Sequence, residues 1–250
     1  MKLGEFILIL VLMPFSVFAA DIKVGLQLEP PNLDPTSGAA AAIDEVVYGN
    51  IFEGLVRINE NGEVLAGLAL FWEISNDGKS YIFHLAEGVK FHDGTEFSAD
   101  DVKFSFNRAR AAGSTNAKKY IFAPIVNIDI FDASTVMITL DQPRPDFLFN
   151  IGLGDAVIVA PESAANNAVL PIGTGPFRFS KWVRGDRIEL VRNMDYWGAP
   201  PRLDGATFKI ITDPLSAYTA MKAGDIDTFP NYPAPENLFL FDKCVYLLNK

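Results

Sequence analysis

Both histidines of the chain, His84 and His92, fall within "FHLAEGVKFHDGTEFSADDV" (83–102), and four carboxylates, Asp93, Glu96, Asp100 and Asp101, follow the second. Imidazoles and carboxylates at short spacing are the raw material of a metal centre or an acid–base pair. Local patterning gives them structural work instead. His84 is in phase with Ile82 and opposite to Phe83 and Leu85, as on one face of a strand. His92 and Asp93 run into "HDG", a turn signal, because glycine there tolerates positive φ. Ser98 opens "SADD", a capping box: its hydroxyl can accept from the Asp101 amide, and Asp100 and Asp101 suit the positive end of a helix. A histidine pair without a third ligand is a poor zinc site. No metal ligand and no catalytic residue is assigned here.

Other chemistries find even less. There is no G-x-S-x-G, no H-E-x-x-H and no Cys–His constellation, so a secreted hydrolase, the competing reading from another class, would have to recruit His84 or His92. "GTGP" (173–176) lacks the G-x-x-x-x-G-K pattern of a phosphate loop and is expected to be a tight turn. No cofactor is expected. The net charge of −10 and pI near 4.7 argue against nucleic acid and anionic lipid as partners. With 49% apolar residues in 250, the chain can bury a sizeable core as one large domain or two small ones.

The elements follow from periodicity. "MKLGEFILILVLMPFSVFAA" has one lysine, a short apolar run and then small residues, with Val17 and Ala19 at the −3 and −1 positions of a signal peptidase site. Export with a single cysteine, Cys244, means no intrachain disulfide. "DIKVGLQL" (21–28) alternates as a strand, and Pro30, Pro31 and Pro35 stiffen the loop after it. Ile43, Val46, Val47 and Ile51 form a helical stripe expected to run to Gly54. From 56 to 140 the text is β-rich with one helix carrying Val102, Phe106 and Ala109. "VIVAP" (157–161) reads as a buried strand. "PFRFSKWVRGDRIELV" gives two strands around Gly185–Asp186, "ATFKIITDP" another, and "DPLSAYTAMKAGDID" a helix capped by Asp213 and closed by Gly224. This order suggests α/β architecture.

Six stretches resemble one family: "LEPPNLDPTSG", "YGNIFEGLVRI", "LAGLALFWEISNDGKSYIFHLAEGVKFHDGTEFSADDVKFSFNRA", "PIGTGPFRFSKW", "RNMDYWG" and "AMKAGDID". In content and order they are similar to the extracellular solute-binding proteins of ABC importers, family 5, the peptide/nickel type. The resemblance implies a type II periplasmic-binding-protein-like α/β fold whose two lobes close on a ligand. After a signal peptide (1–19), it implies a discontinuous first lobe (21–57 and 170–229), an inserted β-rich subdomain (58–169), and the start of an interlobe crossover with a divergent tail (230–250). Family members are about twice this long, so the second lobe is expected to be missing and ligand binding weak or absent.

The same resemblance implies a periplasmic receptor, monomeric, that delivers peptides to a membrane permease and ATPase. Nickel chelates, haem, sugars and opines remain open as ligands. It points to Gly38, Ala39 and Ala40 after the first strand, and to Asn231 and Tyr232 after "AGDIDTF", as ligand-contacting positions. Small residues permit close backbone approach, and a tyrosine offers a flat amphipathic wall.

Overall fold

The computed structural model describes residues 20–236. Residues 1–19, where a signal peptide is expected, and the tail from 237, with Cys244, lie outside the described residues. In chain order the elements are β1 (Asp21–Leu26), α1 (Ala41–Val47), β2 (Val56–Ile58), β3 (Val64–Ala66), β4 (Ala69–Ile74), β5 (Ser80–Leu85), α2 (Ala99–Arg110), α3 (Lys119–Phe122), β6 (Ile125–Asp132), β7 (Thr135–Leu140), α4 (Phe147–Asn150), a 3-10 turn (Gly154–Ala156), β8 (Phe177–Val183), β9 (Arg187–Arg192), β10 (Gly205–Ile210) and α5 (Pro214–Ala223).

The strands form two four-stranded sheets, β1-β10-β9-β8 and β4-β5-β7-β6, and a small β2–β3 ribbon. β1 runs parallel to β10, and the other pairings are antiparallel. Each sheet owns a core. In the second, alternation buries Tyr81, Phe83 and Leu85 of β5 and Val136, Ile138 and Leu140 of β7 on one face, where α2 lays down Val102, Phe106 and Ala109. Phe106 meets Phe122 edge-on at 5.2 Å. In the first, Leu26, Ile188, Leu190 and Phe208 pack on Ile43, Val46, Val47, Ile51 and Phe52.

α2 and α5 carry the caps their sequences encode. The Ser98 amide donates to Asp101 Oδ2 at 2.8 Å while the Ser98 hydroxyl accepts from the Asp100 amide, closing a capping box. In α5, Asp213 Oδ1 accepts from the Ser216 amide at 2.8 Å, Pro214 sits in the first turn, and Gly224 closes the helix at φ +75°.

Three expectations need correction, and one strand was missed. β1 ends at Leu26, and Leu28 is 64% exposed, because the chain has already left the sheet for its proline loop. α1 ends at Val47, well before Gly54: Gly49, at φ +70°, turns the chain, although Ile51 stays buried beyond the turn. The segment 157–160 is buried throughout but is not a strand of either sheet. Its backbone is satisfied elsewhere: the Ile158 amide donates to Glu53 O, and both polar groups of Val159 bond the Ser105 hydroxyl. Finally, β6 escaped the pattern reading, because register shifts interrupt its alternation and leave Val126 and Phe131 exposed.

Candidate functional site

Four of the six family-like stretches, those holding Glu53, His92, Thr174 and Trp197, meet in one knot, and the knot is structural. Glu53 stands in the turn beyond α1 and accepts three hydrogen bonds, from Thr174 Oγ1 at 2.8 Å, Tyr196 OH at 2.8 Å and Trp197 Nε1 at 2.9 Å. Burial pushes its carboxyl above the usual carboxylate range even though all three donors pull it back. Beside it, His92 Nε2 donates to Gly175 O at 2.9 Å, and His92 Nδ1 accepts from the Gly173 amide at 3.4 Å. A carbonyl on one nitrogen and an amide on the other fix a single neutral tautomer. Burial lowers the imidazole to a pKa of about 4, the nearby Arg178 charge adding to the effect.

Gly175 O also accepts from Asn193 Nδ2 at 3.0 Å, and the Gly175 amide donates to Ile51 O at 2.9 Å. A side chain at 173 would meet Ile51 O at 2.0 Å, and one at 175 would meet Asn50 O at 2.4 Å. The glycines of "GTGP" therefore serve backbone approach within the fold. His84 is an exterior partner, bonded to Glu73 Oε1 at 3.0 Å and stacked on Phe71 at 4.1 Å. Among the described residues no group of three His, Cys, Asp or Glu side chains is placed to hold a metal ion.

A different place has the shape of a site. A cleft of about 410 Å³ opens between the loop leading into α1 and the segments around Lys118 and Asp155. Gly38, Ala39 and Ala40 line it together, so three of the resemblance-implied positions share one wall. That wall is pinned from behind, where the Gly38 amide donates to Thr115 O at 3.2 Å. Asn116 orders the opposite side: its Nδ2 donates to Asp155 O at 2.8 Å and its Oδ1 accepts from the Lys118 amide at 2.9 Å.

Three charges line the cleft. Lys118 Nζ and Asp155 Oδ2 form an ion pair at 2.8 Å, with Asp155 nearly buried. The third is Asp44, one turn into α1, whose carboxylate lies against the bare backbone of Gly154. Burial pushes the Asp44 pKa up to about 6; the Asp155 charge adds to the rise, and Lys118 offsets part of it. The exposed ring of Tyr120 forms one lip.

Asn231 and Tyr232 do not line this cleft. Asn231 Nδ2 donates to Glu45 Oε1 at 2.6 Å, on the outer side of α1. Tyr232 stands edge-on to Phe229 at 5.9 Å and its hydroxyl reaches Pro214 O at 3.4 Å, at the start of α5. Sequence reasoning missed Asp44, Lys118, Tyr120 and Asp155. Asp44 directly follows a buried stripe residue and carries no motif. Lys118 and Asp155 are joined to it only by the fold.

Comparison with known proteins supplies the context. Residues 63–243 match the model of bacterial extracellular solute-binding proteins, family 5 Middle. The dipeptide-binding protein of Escherichia coli is 31% identical over 255 residues, covering 89% of this chain and 46% of that protein. The solved structure of NikZ from Campylobacter jejuni in complex with Ni(L-His) is 30% identical, covers 89% of this chain and 45% of that one, and superimposes with a TM-score of 0.78. AgaA of Agrobacterium tumefaciens R10, in complex with agropinic acid, is 32% identical over 82% of this chain and 43% of that one, also at 0.78. The chain thus spans about half the length of the relatives it matches. The match covers most of the described residues, and the chain belongs to the bacterial extracellular solute-binding proteins of family 5.

Proposed function

We propose that the chain is a solute-receiving part of an ABC importer's binding component, exported by its leader to the periplasm, where it acts as a monomer and hands peptides or a related small solute to a membrane permease and its ATPase. The observation that carries the reading is the cleft at Gly38, Ala39 and Ala40, in a chain whose relatives bind solutes. A relative named as a dipeptide-binding protein and others solved with Ni(L-His) and with agropinic acid share this scaffold, which makes peptides the leading class rather than the sole one. Receptors of this type gain affinity by closing two lobes on the ligand, and a ligand favours closure only by its stronger contacts in the closed form.

The test adds dipeptides, nickel–histidine and opines in turn at millimolar concentration to the isotope-labelled chain. Amide shifts at Gly38 to Ala40 with any of them support the reading. Silence there with all three refutes it.

A further inference from the structure

We propose that the outward face of the β4-β5-β7-β6 sheet docks a basic protein segment in which two cationic side chains flank an apolar one. This face shares no residue with the solute cleft, and its role does not depend on solute reception.

A sheet that packs one face on a core leaves the other open. Here α2 covers the face of Tyr81, Phe83, Leu85, Val136, Ile138 and Leu140. On the opposite face Phe71, Ile82, Phe131 and Met137 join none of the buried clusters of the described residues, and Phe71 and Phe131 are 54% and 57% exposed. Scattered apolar residues on a surface are ordinary, but four gathered on one sheet face make a patch.

Strand register orders the groups across it. Glu73 pairs with Ile82, Ile82 with Met137, and Met137 with Asp129. One row therefore reads acid, apolar, apolar, acid. The next row begins with Phe71 stacked on His84 at 4.1 Å and ends with Phe131 at the bulge opposite Thr135. Three strand spacings of roughly 4.8 Å put Glu73 and Asp129 about 14 Å apart.

Charge selects the kind of partner. β4, β5, β6 and β7 hold no lysine or arginine, whereas each strand of the first sheet carries at least one. Glu73 bonds the His84 ring at 3.0 Å, and Asp129 accepts from Asn127 Nδ2 at 2.7 Å. Neither carboxylate meets a lysine or arginine among the described residues. An apolar strip bracketed by two such carboxylates repels anionic lipid and complements a segment with a cation at each end. Arginine gains further from the exposed faces of Phe71 and Phe131.

The span selects the form of the segment. Alternate side chains of an extended chain point the same way, roughly 6.8 Å apart. A cation, an apolar residue and a cation at alternate positions thus cover about 14 Å, which lays the apolar residue over Ile82 and Met137. A helix would need about nine residues for the same span and would turn its second cation to the far side. The contact is smaller than a standard protein interface, so the encounter is weak and sensitive to salt.

The full chain, labelled with nitrogen-15 and with carbon-13 methyl groups, is titrated at pH near 7.5 and low salt with the capped pentapeptide Arg-Ser-Leu-Ser-Arg. Two control peptides keep its length: Glu-Ser-Leu-Ser-Glu reverses the charges, and Arg-Arg-Ser-Ser-Leu loses the alternation. Phosphatidylglycerol vesicles test a lipid surface, and a concentration series of the chain alone tests a second copy. The first peptide is expected to shift the Ile82 and Met137 methyl groups at millimolar concentration and to weaken severalfold at about 0.5 M salt. Glu73→Gln and Asp129→Asn should each weaken it about threefold, and together about tenfold. Glu60→Gln, an exposed acid in the β2–β3 turn, should leave it unchanged. Equal binding by either control peptide, or an equal loss in Glu60→Gln, overturns the assignment. Shifts of this face caused by the vesicles, or by raising the concentration of the chain alone, overturn it in favour of lipid or of a second copy. Silence at Ile82 and Met137 with the first peptide overturns it too, and the titrations at Gly38 to Ala40 judge solute reception separately.

Discussion

Replacing His92 by glutamine should reverse the order of stability between wild type and variant as pH falls. In the native state His92 is a neutral strut, donating from Nε2 to Gly175 O and accepting at Nδ1 from the Gly173 amide. A proton on Nδ1 would face that amide N–H and must also enter a buried setting. The imidazole is therefore lowered from 6.5 to about 4. The unfolded chain takes up this proton first, so the contribution is intact above pH 6.5 and is lost as pH falls toward 4. At about 1.36 kcal/mol per pKa unit, the loss is roughly 2.5 kcal/mol near pH 4.5 and about 3 kcal/mol once titration is complete.

The wild-type pH curve alone hides this loss. Asp44, raised to about 6, titrates over an overlapping range with the opposite sign, its native form gaining relative stability as it protonates. The difference between wild type and variant isolates His92. Glutamine can donate to Gly175 O but forgoes the Gly173 bond, which should cost about 1 kcal/mol at neutral pH. Near pH 4.5 the variant should be the more stable of the two by roughly 1–2 kcal/mol. Urea unfolding followed by the fluorescence of Trp72, Trp182 and Trp197 measures both values. A stability difference that stays constant from pH 7.5 to 4.5 refutes the strut, since it would mean that the ring titrates alike in folded and unfolded chains.

Three further outcomes follow from the same geometry. Asp44→Asn should raise the melting temperature by a few degrees at pH 7.5 and leave it nearly unchanged below pH 3.8, because ionised Asp44 is the disfavoured form in the folded cleft; equal melting shifts at both pH values would contradict that. Glu53→Ala should cost roughly 3–5 kcal/mol in urea unfolding, since it strands Thr174 Oγ1, Tyr196 OH and Trp197 Nε1 together, whereas a loss within about 1 kcal/mol would show that water replaces the carboxylate. Gly173→Ala should prevent stable folding, measured by far-ultraviolet dichroism and solubility, because the added carbon would stand 2.0 Å from Ile51 O.

What was legible in the sequence was whatever is encoded within a few residues. The Ser98–Asp101 box, the Asp213 cap and the Gly224 stop need only neighbours along the chain, and all three stand in the structure. So does the alternation of Phe83 and Leu85 against Ile82 and His84, because a strand packed on one face repeats every second residue. The 157–160 segment failed for the complementary reason. Continuous burial looks the same whether backbone groups bond a neighbouring strand or a serine from a helix, and Ser105 is 54 positions away from Val159. The cleft was legible only in part. The resemblance supplied Gly38, Ala39 and Ala40, but the charges opposite them come from positions that no local pattern joins.

The knot and the cleft differ in how their polar groups are matched. In the knot every polar group is matched: Glu53 has three donors, and His92 has a carbonyl and an amide. Matched groups rigidify a fold and have no free capacity for a ligand. In the cleft Lys118 and Asp155 are matched and Asp44 is not, although burial beside Asp155 makes its ionisation unfavourable. A chain optimised for stability alone would place a neutral residue at 44. His92 thus braces the framework, while an unremarkable aspartate carries a charge that burial disfavours.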